Sequence, residues 1–302
     1  MELREVSLCA QLACALEVAC PKPGNVNRYH DFEDTTLEHY LASAVAIGGA
    51  ASKAARAGFK HGAGEPSIRI GRLILEAVQE SKRWHSGRNT NLGLALLLLP
   101  LAASYGAALR TSPQPGDTLV RDSLDAIMRS TTPEDALCFY RAVREAAPGG
   151  LGRGRELDVW DKGSDDRIIS EGITLYKVLC MSQGDSIAKE LVSRMRVTFE
   201  IGYPSIFKVY KETGSLRRGI LYGYMRILSA SPDSLIARKK GWEVARRVSR
   251  RAAKILRAGL PAKELEEFDR RLRTRGNTLN PGATADLTAA SLMVCLLKGA
   301  RP

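Results

Sequence analysis

Asparagine is scarce in this 302-residue chain, and it comes in pairs: Asn25 and Asn27, Asn89 and Asn91, Asn277 and Asn280. Each pair lies in a Pro- or Gly-marked turn. The turns are Cys20-Pro21-Lys22-Pro23-Gly24-Asn25-Val26-Asn27, Gly87-Arg88-Asn89-Thr90-Asn91-Leu92-Gly93, and Gly276-Asn277-Thr278-Leu279-Asn280-Pro281-Gly282 running on to Asp286. Asn89-Thr90-Asn91 and Asn280-Pro281-Gly282 each open an apolar stretch that reads as a helix. A helix start has backbone N–H groups without intrahelical partners and the positive end of the dipole, a setting that suits phosphate or carboxylate. Lys22, between two prolines on a stiffened loop, is a cation of the kind that meets phosphate. The structural alternative is that Asn caps turns and helices anyway, and that a loop lysine is solvated.

Carboxylates supply the complementary chemistry. Asp31-Phe32-Glu33-Asp34 gathers three acids soon after the Lys22 loop. Asp31 and Asp34, together with substrate phosphates, match the way Mg²⁺ is usually held; a solvated helix start before Thr35 is the alternative. Glu17 interrupts the apolar run Leu8 to Ala19, and Glu200 sits between Phe199 and Ile201 ahead of Gly202-Tyr203-Pro204. A carboxylate in such a setting needs a partner or a role. Asp286, in the first turn of the last helix, either compensates the helix dipole or acts in the chemistry. For all three a structural ion pair or dipole contact is the competing account. Of the four histidines, none at metal-ligand spacing, His30 beside the acidic loop is the one suited to acid–base work. Asp158, Asp161, Asp165 and Asp166 read as a polar loop and helix cap.

Familiar nucleotide and metal signatures are missing. There is no G-x-x-x-x-G-K-[ST], no G-x-G-x-x-G after a strand and no H-E-x-x-H.

Hydrophobic spacing is helical nearly everywhere and no alternating β-branched run stands out. It predicts about twelve helices, over 3–20, 35–57, 66–84, 91–109, 117–129, 133–145, 167–181, 184–212, 216–229, 233–258, 261–274 and 283–298. Leu8 to Ala19 and Leu92 to Ala103 are apolar on nearly every face, which suits a buried central helix set. The expected fold is all-α, a single large multi-helix, bundle-like domain over 1–302. The Pro/Gly-rich stretch Ala147 to Gly154 reads as a loop within it.

Composition narrows the class. Forty-five Lys and Arg against 33 Asp and Glu give a net charge of +12, and 44% apolar residues can fill a sizeable core. The charge favours anionic partners. Arg238 to Arg275 carries fourteen basic and five acidic residues. Arg246, Arg247, Arg250, Arg251, Lys254 and Arg257 fall at helical spacing around Val244, Val248, Ala252 and Ile255, as on a solvated face, and no aromatic platform is interleaved. A basic helical nucleic-acid-binding protein is therefore the second reading rather than the first. Six cysteines without a C-x-x-C pair fit a reducing, cytoplasmic setting. Leu92 to Leu109 falls short of a bilayer span, and the N-terminus makes a poor signal peptide. No membrane partner is expected, and a homodimer is left open.

Set side by side, Pro21-Lys22-Pro23-Gly24, Asn89-Thr90-Asn91-x-Gly93, Glu200-x-Gly202-Tyr203-Pro204 and Asn280-Pro281-Gly282-x-x-x-Asp286 resemble the triphosphoribosyl-dephospho-CoA synthase family in order and approximate spacing. The resemblance implies an all-α fold and ATP with Mg²⁺. It also implies transfer of a triphosphoribosyl group to a ribose hydroxyl of dephospho-CoA, or a related acceptor, with release of adenine. Under it, Lys22, Gly24, Asn89, Thr90, Asn91, Tyr203, Arg238, Asn280 and Gly282 would bind nucleotide and phosphate. Asp31 and Asp34 would hold the metal, and Glu17, Glu200 or Asp286 would act as base or electrostatic stabiliser. The chain departs from the family at Asp31-Phe32-Glu33-Asp34-Thr35, at Asn91-Leu92 and around Ser231-Pro232-Asp233-Ser234. These departures resemble a divergent archaeal and one-carbon-metabolism branch, for which a related step in one-carbon or pterin cofactor biosynthesis is the alternative function.

Overall fold

The computed structural model describes residues 2–151, 156–182, 184–273 and 275–302. Gly152, Arg153 and Gly154 of the Pro/Gly-rich stretch lie outside the described residues. Among those described there are fifteen α-helices and no strand. In chain order they are α1 (Leu3–Ala19), α2 (Leu37–His61), α3 (Ile70–Trp84), α4 (Leu92–Leu109), α5 (Asp117–Arg129), α6 (Pro133–Ala146), α7 (Gly163–Ser170), α8 (Leu175–Met181), α9 (Ser186–Val192), α10 (Tyr203–Thr213), α11 (Leu216–Ala230), α12 (Ser234–Lys240), α13 (Trp242–Arg257), α14 (Ala262–Leu272) and α15 (Gly282–Leu297). The all-α expectation holds. The helix number is higher than twelve because several apolar runs are broken by local backbone geometry. Thr174 caps α8 by accepting from the Lys177 N–H, which separates it from α7. Asp185 caps α9 in the same way through Ile187 and Ala188. Arg194 and Met195 then take positive φ and end the stretch before α10, and Gly241 at φ 88° divides α12 from α13. In each place the caps satisfy donors that a continuous helix would have bonded internally.

The chain forms two compact units, each drawing on two stretches of sequence. The first comprises Met1–Gln11 and Ala42–Met195, and the second Leu12–Leu41 and Arg196–Pro302. In the first unit α3 packs against α4 and α6, and α5 against α4. α4 is buried along sixteen of its eighteen residues, so the whole helix, not one stripe, is core. Leu97, Leu98, Leu99 and Leu101 are fully buried, each contributing roughly 1.5–3 kcal/mol. By length and composition α4 could cross a membrane, but 89% of it is buried inside the protein.

In the second unit α15 plays the same part, with α10, α11 and α12 packed on it. Its small residues Ala290 and Ser291 are fully buried, and Gly202 meets Ser291 where a Cβ would stand 2.0 Å from Oγ. A second cluster builds on Tyr224, Met225 and Leu228 of α11, with Val248, Ala252 and Ile255 of α13 and Phe268 and Leu272 of α14. The arginines of α13 lie outside that core and pair with acids: Arg246 and Arg250 with Glu243, Arg251 with Glu264 and Glu267. One expectation of burial fails. α1 is not enclosed on every face, since Leu8 is 48% exposed.

Candidate active site

The second unit holds the loop that follows α1. Lys22 does not project from it. Its side chain is fully buried, and its ammonium donates to the carbonyls of Glu17 and Cys20 and pairs with Glu17 Oε1 at 3.1 Å. Three donors meet three acceptors. Lys22 is therefore a strut that closes the turn rather than the phosphate ligand its sequence setting suggests. Gly24 and Asn25 are held in place as well. The Gly24 N–H donates to Asp269 Oδ1 at 2.7 Å. The Tyr224 hydroxyl donates to the Pro23 carbonyl at 2.7 Å and accepts from Asn25 Nδ2 at 2.7 Å. Arg273 donates to the Asn25 carbonyl and to Asp269 Oδ2, both at 2.8 Å. Gly24 has φ 79°, and a Cβ there would lie 2.8 Å from Leu272 Cβ. Its identity follows from backbone and packing, not from a phosphate. Tyr224, Asp269 and Arg273 escaped the sequence reading; the i,i+4 spacing of Asp269 and Arg273 was the one available signal.

Around this loop lies a set of acids. Glu17 is buried, and burial raises its carboxyl pKa while Lys22 pulls it down. Tyr40, on α2, has its phenol pKa raised by burial and then by the charges of Asp286, Glu17 and Asp34. Burial also raises the thiol of Cys14, with Glu17 and Asp286 adding to it. Three carboxylates from three segments thus bear on one phenol: Glu17 near the end of α1, Asp34 before α2, and Asp286 in the first turn of α15. Asp31 is exposed and caps α2, accepting the Leu37 N–H at 2.7 Å. Asp34, also exposed, accepts from the Thr35 hydroxyl at 3.1 Å. His30 is exposed and bridges Asn27 through the backbone. No group of three or more His, Cys, Asp or Glu residues is gathered for a metal among the described residues.

The start of α15 is largely occupied from within. Asp233 is buried, and its Oδ2 accepts the Thr284 N–H at 2.7 Å and the Thr284 hydroxyl at 2.8 Å, while Oδ1 accepts the N–H groups of Leu235 and Ile236. One carboxylate therefore caps both α12 and α15. The Gly282 N–H turns back to the Asn280 carbonyl at 2.9 Å. A buried carboxylate at this dipole end takes the place expected for an anionic ligand. Asn280 keeps something unmet, for its Oδ1 is buried without a hydrogen-bond partner among the described residues.

Arg238 is exposed at the last turn of α12. Tyr203 begins α10 with its ring 5.5 Å from that of Phe207. Glu200 departs from expectation. It lies in a π-helical turn, Thr198–Gly202, 45% exposed and paired with Arg196 at 3.1 Å. The wider turn rotates it away from the apolar face its neighbours Phe199 and Ile201 suggest.

The Asn89-Thr90-Asn91 segment belongs to the first unit. Asn89 Oδ1 accepts the N–H groups of Asn91 and Leu92, so it caps α4. Asn91 is buried and donates to the Ala77 carbonyl at 3.1 Å. Both act as the structural alternative described for asparagine. Thr90 differs: its hydroxyl joins Ser43, Ser81 and His85 in a side-chain cluster. None of those three partners was singled out by sequence, since only the fold brings α2 and α3 to Thr90.

With no strand among the described residues and carboxylates and hydroxyls set at helix ends, the class is an all-α enzyme rather than a doubly wound nucleotide-binding one. The model of the family CitG, ATP:dephospho-CoA triphosphoribosyl transferase, matches residues 3–302, and the chain belongs to that family. Its reaction is accordingly the transfer of a triphosphoribosyl group from ATP to dephospho-CoA. A solved structure from Archaeoglobus fulgidus, described as a candidate triphosphoribosyl-dephospho-CoA synthase, is similar at 27% identity. The TM-score is 0.67, covering 86% of this chain and all of the other. No curated protein matches.

Proposed function

We propose that the acids of the second unit serve the ribose centre of this transfer, with Asp286 as the base for the attacking hydroxyl. The observation that carries the reading is the convergence of Asp286, Glu17 and Asp34 on Tyr40. The family reaction breaks the bond between the anomeric carbon and adenine, which leaves with the bonding electron pair. It forms a bond from the same carbon to a ribose oxygen of the acceptor, whose proton must go to a base. The transition state gathers positive charge on the ribose, and fixed carboxylates placed near it lower its energy. Asp286 is half-buried on a rigid helix, a better base than Glu17, which is already committed to Lys22. The Glu17–Lys22 pair fixes the loop and contributes its field.

Asp31 and Asp34 are the residues we assign to Mg²⁺. Two exposed carboxylates with substrate phosphates fit an ion that keeps few protein ligands, and the absence of a closed three-acid cage among the described residues accords with that. Bound there, the ion would neutralise phosphate charge. Arg238 is assigned to phosphate in the second unit and Thr90 in the first. The unmet Oδ1 of Asn280 suits a nucleotide hydroxyl or amino donor. A cytoplasmic setting goes with six free cysteines.

The test is chromatographic. Protein, ATP, Mg²⁺ and dephospho-CoA should yield free adenine, with dependence on the acceptor. Adenine release that ignores dephospho-CoA would overturn the acceptor, and an Asp31→Asn variant with unaltered Mg²⁺ dependence would overturn the metal assignment.

A further inference from the structure

His85, which follows α3, draws three hydroxyls to one nitrogen. Its Nε2 lies 2.9 Å from Ser43 Oγ, 3.0 Å from Ser81 Oγ and 3.1 Å from Thr90 Oγ1. Ser43 Oγ also contacts both Ser81 Oγ and Thr90 Oγ1. Ser43 and Ser81 are each 1% exposed and Thr90 4%. All four groups belong to the first unit.

The number of hydrogens is the point. Five contacts share three hydroxyl hydrogens and whatever proton sits on Nε2. If Nε2 is bare, it must draw a hydroxyl hydrogen inward, and Thr90 is one of the three candidates. If Nε2 carries a proton, it can donate to Thr90 Oγ1. Thr90 then accepts from inside, and its own hydrogen is left to point at something else. A hydroxyl arranged in this way is a donor aimed at an acceptor-only ligand, and phosphate oxygens are such acceptors. Ser43 is not a nucleophile in this arrangement, because it is buried and its oxygen is shared among three partners.

We infer that His85 is a positioning residue for polyphosphate recognition: its Nε2–H donates to Thr90 Oγ1 and turns the Thr90 hydroxyl hydrogen toward a phosphate oxygen of the triphosphate chain. The inference rests on the phosphate role proposed for Thr90. It assigns to His85 what the sequence pattern suggested for no histidine other than His30.

Inorganic tripolyphosphate is the probe, titrated calorimetrically into the full chain with Mg²⁺ present. Thr90→Val and His85→Ala are each expected to weaken binding about tenfold, the effect of losing one hydrogen bond to a charged group. The double variant should be no weaker than either single one. His85→Gln, which can still present an N–H near the Nε2 position, should recover most of the loss, whereas a purely space-filling role would not distinguish Gln from other folded replacements of similar size such as Met. Unchanged affinity in Thr90→Val sinks the phosphate role of Thr90 and the inference with it. Loss in Thr90→Val with full affinity in His85→Gln and His85→Met sinks the inference alone. Should His85→Ala fail to fold, ¹⁵N spectra of histidine-labelled wild-type protein decide. The His85 signal, assigned by its disappearance in His85→Gln, should report a proton on Nε2 in the tripolyphosphate complex, and a bare Nε2 there overturns the proposal.

Discussion

The ammonium of Lys22 lies 3.1 Å from Glu17 Oε1, and neither side chain is more than 8% exposed. Two opposite charges five residues apart are thus taken out of water together, at the point where α1 turns into the loop. Removing one partner leaves the other buried and uncompensated, a loss of about 3–5 kcal/mol. We expect Lys22→Met to lose stability on that scale at neutral pH in urea unfolding. The pH dependence has a definite sign. Burial raises the Glu17 carboxyl, so the folded state holds its proton more tightly than the unfolded chain. Its contribution is most favourable below the ordinary value of 4.5 and declines as pH climbs through the raised folded value. Without Lys22 the opposing pull vanishes and the decline steepens. The gap between wild type and Lys22→Met should therefore narrow toward pH 4, and Lys22→Met/Glu17→Gln should regain much of the lost stability at pH 7. A gap independent of pH would contradict the pairing.

Asp233 joins helices that are distant in sequence. Its four accepted bonds reach Leu235, Ile236 and, fifty-one residues on, both the backbone and hydroxyl of Thr284. Asp233→Ala strands these donors at two helix starts, and about 2–4 kcal/mol should be lost. Asp233→Asn keeps the shape but turns an N–H₂ toward one set of donors, so it should recover only part of the loss. Thr284→Val removes one bond and should cost about 1 kcal/mol. Thermal melts of the three variants should follow that order.

Gly24 tests whether the loop motif is set by packing. Its φ of 79° disfavours any side chain, and a Cβ would also crowd Leu272 Cβ at 2.8 Å and Pro281 Cδ at 3.0 Å. Strain and overlap together should make Gly24→Ala destabilising by about 1–3 kcal/mol. Because no phosphate contact is assigned to Gly24, the affinity for inorganic tripolyphosphate should stay near wild type in whatever fraction is folded. A stable Gly24→Ala protein with lost tripolyphosphate binding would restore the phosphate role.

How much of this could be read from sequence depends on the range of the interactions. Leu92–Leu109 and Gly282–Leu297 declare themselves by composition, because a helix with hardly any polar face has to be core. The carboxylate at Glu17 could be recognised as needing a partner, for it stands alone in an apolar run. Its partner Lys22 was visible too, yet was read as facing outward, since local sequence does not say which way a loop lysine turns. Tyr224 to Asn25 spans 199 residues, and Ser43 to Thr90 spans 47; such bonds have no periodic signature. Asn89 and Asn91 show the converse. Their placement at a helix start was legible, and the structure gives them the capping and bracing work such residues commonly do.

Glu200 and Asp286 separate a carboxylate that merely follows a motif from one placed for chemistry. Both stand in segments that resemble the family, and both read alike in sequence. The π-helical turn leaves Glu200 45% exposed beside Arg196, and an exposed i,i+4 pair contributes little. Asp286 is half-buried on α15 and bears on Tyr40 and Cys14, as does Glu17. Glu200→Gln should therefore keep adenine release within about twofold of wild type and leave the melting temperature essentially unmoved, on the scale of exposed ion pairs. Asp286→Asn should lower the rate by about a hundredfold or more, the usual contribution of a positioned base, while ATP still shifts the melting temperature. A deprotonated acceptor analogue, or raised pH that ionises more of the acceptor, should partly rescue Asp286→Asn but not a variant defective in binding. If Glu200→Gln is the slow variant and Asp286→Asn the fast one, the base lies on the π-helical turn, and the convergence of acids on Tyr40 has another purpose.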